Sequence, residues 1–252
     1  MEYDQVMRSL QQRVNELSLE NAKLRQSLEV SGQSPEYHPV NATPAAGEWI
    51  YIVGVVSGEG GSYYGEVLRV YARFIEGSGR VFIATNPKIG ITLQDSAETA
   101  FMVAQRISGV NASNLDVVLT VTANKTIDVI DGPSAGAAIT VLLASMLQGA
   151  DIRRDVMMTG AIQSDGSIGS VGGIIEKAKA AAEAGAGVFL VPKGQSKAVI
   201  YVEHVTQIGP LHIIRYEPQT VDVQEYLESQ GYSIKIVEVA DIQEALEYFM
   251  AE

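Results

Sequence analysis

From Gly132 to Ala150 the chain carries no charged residue, and this stretch most constrains the fold. A helix that is apolar on every side has to be covered on every side. Gln148, Ser145 and several Gly and Ala within it suit a buried globular helix better than a membrane span. Pro133 supplies a first helical position, Asp131 stands just upstream as a possible cap, and Gly149 supplies the stop. The pattern therefore predicts a helix from Ser134 to about Leu147. At 252 residues and 46% hydrophobic content, the chain is long enough to wrap one core of about 200 residues around such a helix and still carry an appendage.

The covering elements follow from period. Alternation predicts strands at Trp49–Val56, Glu66–Phe74, Arg80–Ala84 and Asp116–Ala123, with a helix at Ser96–Ile107. Beyond the uncharged helix come a short buried strand at Asp155–Gly160 and a polar, glycine-rich hairpin at Ala161–Gly172. A helix at Ile174–Ala184 follows, stopped by Gly185 and Gly187. Val188–Val191 and Ser233–Val239 read as strands, and Ile242–Phe249 as the last helix. No internal repeat is visible. The sum is one mixed α/β domain over residues 49–252.

Residues 1–29 are different. Met7, Val14, Asn21 and Leu28 at heptad position a, with Tyr3, Leu10, Leu17 and Leu24 at d, give an apolar seam that predicts a coiled coil. Asn21 in the seam favours a parallel two-stranded register. Residues 30–48, rich in Ser, Gly, Gln and Pro without periodicity, read as a linker. The given sequence opens directly in charged, helical residues, in which no signal-peptide pattern is visible.

Composition removes several functions. A net charge of -12, with only 18 Lys and Arg scattered along the chain, argues against nucleic acid as a partner. The absence of cysteine removes disulfides, thiolate metal sites and cysteine nucleophiles. His38, His204 and His212 lie far apart without metal-ligand spacing, so neither a metal centre nor a Ser-His-Asp triad is expected. Gly58–Gly65 precedes a strand rather than a helix, which makes a phosphate cradle a poor reading. No cofactor is implied.

What remains is a serine and a lysine. Ser134 follows a Gly-Pro turn at the start of the uncharged helix, where first-turn N–H groups lack intrahelical partners and the helix dipole is positive. An oxyanion forming beside it would find backbone donors already in place, with Gly132, Pro133 and Ala135 making up the oxyanion turn. Lys177 lies in the following helix among Ile174, Ile175 and Ala178, and such apolar surroundings favour a neutral amine that can accept a proton. The bland alternatives are a Ser134 that serves only the helix start and a Lys177 that shares a solvated face with Lys179.

Several ordered blocks tip the balance: Gly-Ser-Gly-Arg at 77–80, Ser96-Ala97-Glu98, Asp131-Gly132-Pro133-Ser134-Ala135-Gly136, Arg154 to Gly160, and Gly172-Gly173-Ile174-Ile175-Glu176-Lys177. Together they resemble the proteolytic domain of the Lon family of serine-lysine peptidases, most of all its archaeal membrane-anchored, ATP-independent branch. The resemblance implies a Lon proteolytic-domain fold, Ser134 as nucleophile and Lys177 as general base. It implies that Thr159 lies beside the lysine and orients it, and that Asp131 occupies an acidic position able to pair with the lysine. It also implies unfolded polypeptide substrates, a hexameric ring that hides the sites, and a membrane anchor outside this chain. There are departures from the pattern. No Gly-x-x-x-x-Gly-Lys-Ser/Thr loop is present, so ATP is not expected to be used; Ala161 stands where the family often has Glu; and 195–230 reads as an insertion that shapes substrate access or subunit packing. Two other classes stay open: a non-catalytic Lon-like scaffold or peptide-binding oligomer, and a Ser-Lys hydrolase of small amides.

Overall fold

In the computed structural model, residues 47–57, 62–85, 88–123, 129–208 and 211–250 are described. The heptad segment 1–29 and the linker up to residue 46 lie outside the described residues. So do Gly58–Gly61 of the glycine-rich stretch.

Strand β1 (Glu48–Ser57) runs antiparallel to β2 (Tyr63–Glu76), in a register that opposes Glu48 to Ala72 and Ser57 to Tyr63. Next to β2 lies β5 (Leu115–Ala123), also antiparallel, and β3 (Val81–Thr85) closes the four-stranded sheet parallel to β5. The two-residue period predicted one buried face, and Leu68, Val70 and Ala72 of β2 meet Val117, Leu119 and Val121 of β5 on it. A short parallel ladder joins β4 (Lys88–Ile89) to β6 (Val129–Ile130).

Two helices cover that face. Helix α1 (Ile91–Ser108) contributes Leu93, Ala97, Ala100, Phe101 and Ala104 to the core. It starts five residues before the expected Ser96, because Thr92, Gln94 and Asp95 interrupt the apolar stripe without interrupting the helix. Helix α2 (Gly136–Gln148) is buried along its length from Gly136 to Ser145, as a chargeless helix must be, and Gly149 caps it at φ 66°. The expected start at Ser134 is corrected: Pro133–Ala135 form one 3₁₀ turn, and α-geometry begins at Gly136.

A second layer is a parallel sheet in the order β13-β10-β7, from β7 (Val156–Met158), β10 (Val188–Pro192) and β13 (Lys235–Val239). Strands β7 and β10 are uninterrupted apolar runs, as buried parallel strands are, while the edge strand β13 carries Lys235 and Glu238. Between β7 and β10 come the two-residue strands β8 (Ala161–Ile162) and β9 (Ile168–Gly169), then helix α3 (Ile174–Glu183). Ile174, Ala178 and Ala181 of α3 pack with Val53, Met157, Phe189 and Val191 in a second core cluster.

Residues 195–230 form a long antiparallel hairpin, β11 (Lys197–Ile208) and β12 (Leu211–Asp222), followed by the short helix α4 (Val223–Ser229). Helix α5 (Ile242–Phe249), capped by Asp241 onto the Glu244 N–H, closes the fold. At the start of β1, Arg154 donates to the Trp49 carbonyl and, at 2.8 Å, to the Glu48 carboxylate. Its guanidinium lies 4.4 Å from the centre of the Trp49 ring. Among the described residues no helix is long and apolar enough to cross a membrane.

Candidate active site

The 3₁₀ turn that carries Ser134 is held from both sides. On one side strand β7 runs on into Thr159 and Gly160. The Gly160 N–H donates to the Ser134 carbonyl at 3.0 Å, and the Ala137 N–H returns to the Gly160 carbonyl at 3.2 Å. On the other side Ser96 of α1 donates its hydroxyl to the Pro133 carbonyl at 3.2 Å. These contacts leave no space at Gly136, where a Cβ would stand 2.2 Å from the Ser96 hydroxyl and 2.6 Å from Ile162. Gly132 precedes the turn at φ 116°, a conformation that disfavours any other residue.

Lys177 is not on a solvated face. It sits with Ile174, Ala178 and Ala181 on the buried side of α3 and is 4% exposed, while Lys179 points to solvent. The exposed alternative is thereby removed. The Lys177 Nζ donates to the Thr159 hydroxyl at 3.2 Å, and that hydroxyl donates to the Ser134 carbonyl at 3.4 Å. Thr159 is fully buried, so this chain from lysine to serine turn runs through a side chain that water does not reach. Burial lowers the Lys177 pKa to about 8, against a smaller upward pull from Glu176. At pH 7 roughly a tenth of the amine is therefore neutral, far more than for a solvated lysine.

Asp131 is elsewhere occupied. Its carboxylate accepts the Thr92 hydroxyl on α1 and lies over Gly90, where a Cβ would collide with it. The Thr92 hydroxyl, then the Gly132 N–H, hold its pKa below the usual carboxylate range. It thus serves the first turn of α1 and not the start of α2, which corrects its reading as a cap on the serine's helix. The turn donors are narrowed as well. Gly132 gives its N–H to Thr92 Oγ1 at 2.9 Å, Pro133 has none, and the N–H groups of Ser134 and Ala135 are those with no earlier residue of the turn to bond.

Ser134, Lys177 and Asp131 line one cleft of about 920 Å³. Gly54–Val56 of β1, the Gly172–Glu176 segment and the base of the hairpin at Val199 and Tyr201 complete its walls. Sequence reasoning missed Thr92, the fixing role of Ser96 and the close approach at Gly136. It also missed Gly65, where a Cβ would lie 2.1 Å from the Glu176 carbonyl, so that β2 is pressed onto the helix that carries Lys177. The run of glycines at 58–65 was the available signal for that approach. Among the described residues no cluster of His, Asp or Glu could hold a metal ion. His204 is exposed, 3.6 Å from Glu217 on the hairpin.

Comparison with known proteins identifies the family. The model of the "Lon protease (S16) C-terminal proteolytic domain" matches residues 48–216, well over half of the chain. Lon protease 2 of Syntrophobacter fumaroxidans is 31% identical over 68% of this chain and 20% of its own length. A Lon protease of Dictyoglomus thermophilum is 35% identical over 53% of this chain and 17% of its own, and one of Phenylobacterium zucineum 39% over 51% and 16%. The matched part is thus about a fifth of these relatives' length. The matched span contains the serine turn, Thr159 and Lys177, and the chain belongs to the family of Lon protease C-terminal proteolytic domains.

Proposed function

We propose that this chain is a serine-type endopeptidase that cleaves unfolded polypeptide without ATP, with Ser134 as nucleophile and Lys177 as general base. The observation that carries the reading is the buried Lys177 amine, tied through Thr159 to the turn that presents Ser134 at a cleft. A neutral Lys177 takes the Ser134 hydroxyl proton as the oxygen attacks a peptide carbonyl. The N–H groups of Ser134 and Ala135 face the developing oxyanion. The resulting ammonium then gives its proton to the leaving amine, and water discharges the acyl-enzyme by the same steps in reverse. Thr159 accepts from the lysine Nζ and so aims it. Catalytic contacts of this kind commonly tighten only when substrate is bound.

The cleft suits an extended chain. Gly54–Val56 offer strand backbone along one wall, to which a substrate strand could add. Val199 and Tyr201 offer apolar surface on the other, which favours a substrate-access role for the 195–230 segment. Confinement in a hexameric ring would protect the cell from such an activity. A two-stranded coiled coil and a six-fold ring are reconciled by a trimer of dimers, or by a trimeric stalk. If a membrane anchor precedes the stalk, the ring stands above the membrane and its substrates are misfolded membrane or extracytoplasmic proteins.

The test is degradation of casein without nucleotide by wild type and Ser134→Ala at matched oligomeric state. Cleavage by wild type alone is expected. Equal cleavage by both would remove Ser134 as nucleophile, and cleavage by neither would favour a scaffold. Cleavage of small amides with casein left intact would favour an amidohydrolase.

A further inference from the structure

Thr92 and Ser96 stand one turn apart on α1 and both reach the segment that delivers Ser134. Thr92 Oγ1 donates its proton to the Asp131 carboxylate and accepts the Gly132 N–H at 2.9 Å, so its hydrogen is committed to one neighbour and a lone pair to the other. Ser96 fixes the next carbonyl, that of Pro133, at 3.2 Å. Three consecutive residues before the serine are thus bound to one helix face. Gly90, which has no side chain, leaves the room that the Asp131 carboxylate occupies.

Asp131 lines the same cleft as Lys177. The titratable groups around that cleft besides the lysine are Tyr63, Asp131, Glu176, Lys197, Tyr201 and Tyr226, with Tyr64, Glu66, Lys179 and Glu183 in the adjoining hollow. Asp131 and Glu176 are the carboxylates of the cleft itself. A carboxylate released toward the amine would stabilise its charged form and remove the base from use. Thr92 Oγ1 is the side-chain group that engages Asp131.

We propose that Thr92 is a positioning residue: its hydroxyl fixes the turn that presents Ser134 and keeps the Asp131 carboxylate from pairing with Lys177. The proposal rests on the peptidase reading for its kinetic consequence but not for the clamp itself. Valine has the shape of threonine without the hydroxyl, and serine keeps the hydroxyl.

The experiment compares wild type, Thr92→Val, Thr92→Ser and Thr92→Val/Asp131→Asn for casein cleavage across pH. In parallel, exchange of the Gly132 amide is followed by NMR in the Ser134→Ala background with and without Thr92→Val. A misplaced nucleophile should lower kcat about ten- to a hundred-fold in Thr92→Val, with KM within about two-fold. Its acid limb should move to higher pH, Thr92→Ser should restore the rate, and adding Asp131→Asn should move the limb back. The Gly132 amide should exchange faster once the hydroxyl is gone. Wild-type kcat and an unmoved acid limb in Thr92→Val would overturn the positioning role, and so would a rate loss that Thr92→Ser fails to restore. If the wild type itself cleaves nothing, the peptidase reading falls; the exchange measurement then decides the clamp, and unchanged exchange overturns it.

Discussion

Lys177 and Tyr201 border the same cleft but are held in opposite ways. Lys177 is 4% exposed, fixed by a core cluster beneath it and by Thr159 beside it. Tyr201 is 70% exposed and stands on a two-stranded hairpin whose far half, with Val205 and Ile214, meets solvent on the same face. An amine that must lose its proton needs dryness, and dryness needs packing on every side. A wall that meets a passing polypeptide needs apolar surface left open. The wall therefore rests on ladder hydrogen bonds, the support that is weakest in isolation.

The largest effect should come from breaking the buried side. Lys177→Met should reduce casein turnover by on the order of a thousand-fold or more. The same change should stabilise the fold at pH 7. The Lys177 pKa is lowered to about 8 in the folded chain, so below that pH folding must carry a buried charge that the unfolded chain solvates. Removing it should add roughly 3 kcal/mol, a gain that fades as pH rises from about 8 to the lysine's unfolded value of about 10.4. Urea denaturation at pH 7 and 10.5 measures this, and equal gains at both would mean that Lys177 is solvated after all.

Gly136→Ala tests the packing around the serine turn. With Ser96 and Ile162 inside contact distance, a cost of about 1–3 kcal/mol is expected, together with a lower kcat. A variant as stable as wild type would show that α2 can shift without penalty. For the wild type, kcat/KM should rise with pH to a plateau, with an inflection near the lysine pKa of about 8. A flat profile between pH 6 and about 9 would remove the lysine as base. The smallest effect belongs to the hairpin: Val205→Thr with Ile214→Thr should change stability by less than about 0.5 kcal/mol, since both residues are already more than half exposed.

Much of the buried side was legible in the sequence, for a reason the comparison makes plain. The spacing of Ile174, Lys177, Ala178 and Ala181 places the lysine on the apolar face of its helix, and helical periodicity is a local property. Gly132 and Pro133 announce a turn before Ser134 by their own backbone preferences. The hidden features all depend on elements that meet from far along the chain. Thr92 interrupts an apolar stripe and looks like a loop residue until α1 lies against the Asp131–Pro133 segment. Asp131 looks like a cap for the helix that follows it because the helix it serves comes much earlier. The hairpin strands alternate weakly, since most of their residues remain exposed on both faces and leave little period to read.

The Arg154 contacts carry a practical consequence for protein engineering. A fusion or surface tether joined ahead of Glu48 leaves in place the cation that grips the Glu48 carboxylate, the Trp49 carbonyl and the indole face. Trimming to Ile50 would strip that cation of all three partners at once. The shortest well-behaved recombinant domain should therefore begin at or before Glu48.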